Sequence, residues 1–168
     1  MQKTEKKLNN ISNISKIVVS TGLGKMRQQN AQFEDKVLPD IIAEFAAIVG
    51  QRPAIRKAKK SVAGFKMRQG DVVGLVATLR GKRKNDFWVK LTEITLPRVR
   101  DFRGIAESKV DGAGNLNLGF KDQFVFPESS QEASKVNFGL EITIVTEGMS
   151  RQKAIDFLRE KGIPSITT

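Results

Sequence analysis

Residues 72–81 read VVGLVATLRG, and their alternation fixes how the chain is organised. Successive side chains of an extended chain point to opposite faces. Val73, Leu75, Ala77 and Leu79 therefore share one side, and Gly74, Val76, Thr78 and Arg80 the other. One face is apolar and the other mixed, which is the mark of a strand covered on one side only. Ile14–Thr21 (ISKIVVST) repeats the pattern, with Ile17 and Val19 on one face and Lys16 and Ser20 on the other; Gly22-Leu23-Gly24 closes it. Ala54–Lys57, Leu116–Lys121, Gln123–Phe126 and Leu140–Thr146 are further strand candidates.

An apolar sheet face needs a covering layer. Asn30–Val49 supplies a helix, with Phe33, Val37, Ile41, Phe45 and Ile48 three to four residues apart and Gly50 as its stop. Pro39 inside that pattern predicts a kink or a restart near Leu38. Asn85–Thr95 is helical by its Phe87, Leu91 and Ile94 spacing, and Pro97 is expected to end it. Ser150–Glu160 makes a last helix, with Ser150 as N-cap and Gly162 and Pro164 beyond its end. Helices are interleaved with strands, yet the late strands follow one another directly. The expected fold class is α+β: a mainly antiparallel sheet with helices packed on one face, in two layers. Residues 1–13, polar and with four charges, are expected to be a flexible N-terminal segment. Residues 14–168 form a single expected domain, with no internal repeat or long linker.

The charge is unevenly placed. The 168 residues hold 29 bases and 18 acids, a net +11. From Arg52 to Lys84 there are eleven bases (Arg52, Arg56, Lys57, Lys59, Lys60, Lys66, Arg68, Arg80, Lys82, Arg83 and Lys84) and one acid, Asp71. The remainder is nearly balanced, with eighteen bases against seventeen acids. Charge concentrated in this way points to a partner of opposite sign, a nucleic acid first of all. There is no cysteine and no histidine. That excludes disulfides, zinc sites built on those residues, and Ser-His or Cys-His catalysis; Lys- or carboxylate-based chemistry survives. No apolar run approaches the roughly 20 residues of a membrane span, and the polar start lacks the apolar core of a secretory signal. A cytoplasmic protein without a membrane partner is expected.

Two motifs resemble ligand loops and fail on inspection. Gly22-Leu23-Gly24-Lys25 lacks the third glycine of a dinucleotide loop, having Arg27 there, and lacks the Ser or Thr of a phosphate loop, having Met26. Asp111-Gly112-Ala113-Gly114-Asn115 has one carboxylate where a calcium loop needs three or four, and is expected to be a hairpin or bulge turn. No catalytic residues, no metal and no cofactor are expected. The sharpest feature is Lys57–Arg68 (KAKKSVAGFKMR), the core of a basic arm over 57–70. Its ends are basic, and its middle is small, flexible and tipped by Phe65, which serves either as core or as a stacking surface. Doubled back, seven residues a side reach about 23 Å from the body. Lys82-Arg83-Lys84 stands just before a helix, where cations oppose the macrodipole unless phosphates are near. The open sheet face offers Lys16, Ser20, Thr78, Arg80, Asn117 and Lys121, with Gly74 and Gly119 as places where a backbone can approach. The signature of the RNA-recognition motif is absent.

Several blocks occur in an order that resembles a known family. They are Lys16–Val19 with Gly22-Leu23-Gly24, Gly50-Gln51-Arg52-Pro53, Ala58–Gly70, Thr78-Leu79-Arg80-Gly81, Leu96–Gly104, Asp111–Asn115 and Phe126-Pro127-Glu128. Together they resemble the bacterial-type large-subunit ribosomal protein five family, from about Ile14 to Pro164. The resemblance implies a non-enzymatic structural constituent of the large ribosomal subunit, which binds 5S rRNA and helps attach it in the central protuberance. Gln51, Thr78 and Arg80 match expected 5S rRNA contacts. Lys16 and Ser20 lie on the implied RNA face, Ser20 standing where the family usually has Asn. Lys57, Lys59, Lys60, Lys82 and Arg83 are expected to contact rRNA phosphates. Ala63, Gly64, Phe65, Lys66, Met67 and Arg68 match a loop expected to touch peptidyl-site tRNA. Neighbouring large-subunit rRNA and proteins of the central protuberance, and a small-subunit head protein, are the other implied partners. The chain departs from the family in its short N-terminal segment and in Lys25, where an acid is usual.

Overall fold

The face-by-face burial of two neighbouring strands organises the fold. In the computed structural model, which describes residues 11–30, 32–99, 104–132, 134–163 and 165–166, strand β1 (Ile14–Gly22) buries Ile17, Val19 and Thr21 and leaves Lys16, Val18 and Ser20 half-exposed. β2 (Ala54–Lys57) runs antiparallel to β3 (Val72–Leu79), with Ala54 opposite Val76, Arg56 opposite Gly74, and a bulge between Arg56 and Lys57. β4 (Ile105–Ala106), β5 (Leu116–Phe120), β6 (Leu140–Thr146) and β7 (Ser165–Ile166) complete the strands. Five of them form one open antiparallel sheet in the order β2-β3-β1-β6-β5, while β4 and β7 pair in parallel.

At Gly74 the backbone of β1 lies close against β3. A Cβ built there would lie 2.6 Å from the Thr21 carbonyl oxygen, whereas one at Gly119 would meet nothing within 4 Å. Only the second of the two open-face glycines is therefore free for an approaching ligand; the first is filled by its own neighbour strand.

Helix α1 (Gly24–Gln29) follows β1. A π-helical segment, Phe33–Val37, leads into α2 (Leu38–Val49), so the helix restarts at Leu38 with Pro39 in its first turn. Gly50 ends α2 in the left-handed region at φ 71°, donating its N–H to the Ala46 carbonyl at 2.8 Å. The helix expected at Asn85–Thr95 extends in both directions. It comprises α3 (Gly81–Val89), a π-helical segment Lys90–Thr95 and α4 (Leu96–Arg98). Its first turn is exposed except for Lys84, so apolar periodicity begins a turn late and hid the true start. Pro97 stands in the opening turn of a restarted segment, where its missing N–H is not needed. α5 (Arg151–Glu160) begins after Ser150, whose backbone is extended and whose side chain makes no capping bond. Gly162, at φ 90°, follows it.

The strand expected at Gln123–Phe126 is a 3-10 turn, Gln123–Val125. The cause is Gln123, which is fully buried and must satisfy both ends of its amide. Its Nε2 donates to the Val136 carbonyl at 2.7 Å, and its Oε1 accepts the Phe138 N–H at 2.9 Å. Those bonds tie the segment to a neighbouring loop and not to a ladder.

The chain divides into two compact units. One is Val19–Ala77 with Phe120–Glu141, and the other holds the remaining described residues. In the first unit, Ile41, Phe45 and Ile48 of α2 are buried, as are Val19, Leu75 and Ala77 of the strands. In the second, Phe87, Trp88, Leu91 and Leu158 are buried on the helices and Ile17, Leu79, Ile142 and Ile144 on the strands. Each Val, Leu, Ile or Phe among them contributes about 1.5–3 kcal/mol of transfer free energy. The result is a two-layer α+β fold.

Of the segment expected to be flexible, residues 1–10 lie outside the described residues, as do 100–103 of the block Leu96–Gly104 and Pro164. Ile11 is buried, and Asn13 accepts the Glu147 N–H at 2.9 Å.

Candidate nucleic-acid interface

Of the eleven bases between Arg52 and Lys84, ten are exposed. The exception is Lys84, whose Nζ donates to the carbonyls of Ile11 at 3.2 Å and Ile14 at 2.5 Å. Burial holds its pKa below the ordinary lysine value, against the opposing pull of Glu147. The single acid, Asp71, is withdrawn from the surface. Its side chain is 12% exposed and takes the Arg27 guanidinium on Oδ1 at 2.6 Å. The exposed charged side chains of this stretch are therefore all basic, and its one acid is turned inward.

In the first unit the arm is an ordered hairpin. At its foot Ala58 N–H donates to Asp71 O at 2.8 Å and Gly70 N–H to Ala58 O at 3.0 Å. Higher up, Val62 and Met67 form an antiparallel bridge, and Ser61 Oγ accepts the Gln69 N–H at 2.9 Å. A single 3-10 turn, Ala63–Phe65, makes the tip, and Lys66 follows in the left-handed region at φ 46°. Lys59, Lys60, Lys66 and Arg68 are exposed along it. Phe65 is 65% exposed, so it is not core and presents an aromatic face of the kind on which nucleobases stack. Gln51 is half-buried in the link from α2 to β2. Lys57 ends β2, an edge strand whose four residues are all exposed. Ser20 is half-exposed, and its hydroxyl donates to Glu141 at 3.4 Å.

In the second unit, Lys16 and Thr78 are half-exposed on the strands. Arg80 is the N-cap residue of α3, and Lys82 and Arg83 lie within its first turn, not before it. That turn has no acid and no side-chain cap. Three cations thus gather at the positive end of a helix, an arrangement that an anion relieves and that backbone N–H groups there favour.

The ligand loops dismissed on spacing have structural roles. Leu23, between the two glycines, is fully buried and donates its N–H to Val73 O at 2.9 Å. Asp111 accepts from the N–H groups of Ala113 and Asn115 and from the Asn115 side chain, at 2.8–2.9 Å. These bonds hold its carboxyl below the usual range, the Asn115 side chain contributing most. Among the described residues no cluster of three or more carboxylates could hold a metal ion, and no helix is long and apolar enough to cross a membrane. Sequence reasoning missed Arg27, Gln28 and Asp71 as determinants of the arm. The signal was there in Asp71, a lone acid at the foot of a basic hairpin.

Comparison with known proteins covers nearly the whole chain. A family described as Ribosomal protein L5 matches residues 8–68, and the C-terminal model of that same ribosomal family matches residues 72–165. The large ribosomal subunit protein uL5 of Halothermothrix orenii is 40% identical over 154 residues, 92% of this chain and 83% of that protein. The uL5 protein of a Synechococcus species is 42% identical over 94% of this chain and 85% of its own length. The uL5c protein of the alga Gracilaria tenuistipitata is 43% identical over 95% and 86%. Between them the two family matches take in the basic arm as far as Arg68, the strands on either side of it and the final helix, and the chain belongs to the ribosomal protein uL5 family.

Proposed function

We propose that this protein is built into the central protuberance of the large ribosomal subunit, where it binds 5S rRNA. Family membership makes it a structural, non-enzymatic constituent of that subunit. The observation that carries the finer reading is the basic stretch itself: ten exposed bases, with its one acid consumed internally. Phosphate contacts from Lys57, Lys59, Lys60, Lys82 and Arg83 supply most of the affinity. Lys16, Ser20, Gln51, Thr78 and Arg80 position the RNA, a division that follows from what phosphates and base edges can each convey.

The arm has a separate partner. Ala63 to Arg68, with Phe65 at the tip, contact peptidyl-site tRNA, and another surface meets a protein of the small-subunit head. The exposure of Phe65 supports this, since an accessible aromatic ring at the tip is a surface on which a nucleobase can stack. Two outcomes are expected: in cell extracts the protein should sediment with large subunits, and in vitro it should bind 5S rRNA more tightly than an unrelated RNA of equal length. Recovery only in the soluble fraction, or equal affinity for both RNAs, refutes the proposal.

A further inference from the structure

The arm has almost no apolar anchorage. Val62 is 41% exposed and Phe65 65%, and an isolated two-stranded hairpin is at best marginal in water. Its tip also contains a non-glycine residue in the left-handed region, Lys66, which is a conformation that surrounding contacts must hold. Those contacts come from α1. At the foot, Asp71 Oδ1 takes the Arg27 guanidinium while Oδ2 takes the Arg68 backbone N–H, each at 2.6 Å. Near the tip, Gln28 Nε2 donates to the Phe65 carbonyl. Arg27 and Gln28 are consecutive, so one short helix grips the hairpin at two heights. That helix is itself fixed to the sheet through its N-cap residue Leu23, which is fully buried and donates its N–H to Val73 O of β3 at 2.9 Å.

We infer that α1 is a bracket that sets the angle and order of the arm, with Asp71 and Gln28 as positioning residues for the ligand of its tip. The inference rests on the arm's proposed contact with tRNA, but the bracket is testable without that ligand. Charge alone gives the opposite expectation. Removing Asp71 raises the net charge from +11 by one, and a simple basic tether would then hold RNA more tightly. A bracketed arm instead loses binding, because its ordering must be supplied at the moment of contact.

The test uses the full chain carrying Asp71→Asn, Gln28→Ala or both. In the free protein, amide exchange is followed at Lys66 and Met67, whose N–H groups bond to Ala63 and Val62 carbonyls within the arm. Exchange there quickens about tenfold in Asp71→Asn and further in the double variant, as expected when a charge-assisted anchor is lost. Exchange at Leu75 and Ile142 in the sheet stays unchanged. Unaltered tip exchange in Asp71→Asn and in Gln28→Ala, a change at an exposed residue that leaves the core intact, overturns the bracket. In reconstituted subunits, cross-linking from position 65 to peptidyl-site tRNA falls about fivefold to tenfold at equal 5S rRNA affinity. Tighter RNA binding with unaltered tip exchange also overturns it. Quickened tip exchange supports the bracket even where the unmodified arm gives no tRNA cross-link, a result that removes the tRNA reading alone.

Discussion

Lys84 shows how differently one residue type serves within a single basic run. Its neighbours Lys82 and Arg83 are exposed, while its own Nζ is spent on two backbone carbonyls near the start of the chain. Lys84→Met leaves those acceptors without a charged donor, and stability should fall by about 1.5–3 kcal/mol at neutral pH, read from urea midpoints. The effect depends on pH. Burial puts the folded-state pKa below the ordinary 10.5. Between those two values the unfolded chain holds more proton, so this group's contribution to stability rises with pH. The gap between the natural chain and Lys84→Met should therefore widen as pH climbs toward 10.5; a gap that narrows contradicts the assignment. Spacing along the sequence gives no sign of this, because Lys84 differs from Lys82 only in the direction it faces on the helix.

At the scale of elements, the approach of β1 to β3 leaves no room for a side chain at Gly74. Gly74→Ala places a methyl 2.6 Å from the Thr21 carbonyl, a backbone atom that cannot swing aside. A loss of about 1–3 kcal/mol is expected from the forced separation of the strands, against a change within about 0.5 kcal/mol for Gly119→Ala. Thermal unfolding of the two variants measures the difference. Alternation made these glycines look equivalent, since it assigns a face but not what occupies it. The same limit explains the two segments misread from sequence. The run at Gln123 has strand-like residues, yet a buried amide with two long-range partners turns it. The helix after Arg80 begins a turn before its first buried aromatic. Where a pattern was long and apolar, as in Val72–Leu79 and Leu38–Val49, sequence and structure agree because burial itself made the pattern.

For the molecule as a whole, the concentration of charge and the separate arm were legible, and the internal anchoring of Lys84 and Asp71 was not. Ten exposed bases predict strongly salt-dependent RNA binding, with a slope corresponding to roughly five or more neutralised phosphates. Lys59→Gln and Lys82→Gln should each lower that slope by about one while leaving the preference between RNAs largely intact. A change of preference without a change of slope would reassign those residues to base recognition. Composition could locate the basic fifth of the chain but could not separate ordered hairpin, helix terminus and internal anchor. That separation depends on hydrogen bonds donated by Arg27 and Gln28 and accepted by Ile11, residues far away in sequence.

One consequence of the edge strand β2 concerns the time before assembly. It lies at the end of the sheet and carries Ile55, 44% exposed, on a row of backbone groups that no strand covers among the described residues. Such an edge is a template for pairing with another copy of the same chain. Here Arg52, Arg56 and Lys57 line it, so two copies brought edge to edge would repel. Copies of the free protein are thereby held apart by charge, and the proposed contact with rRNA would neutralise those same charges.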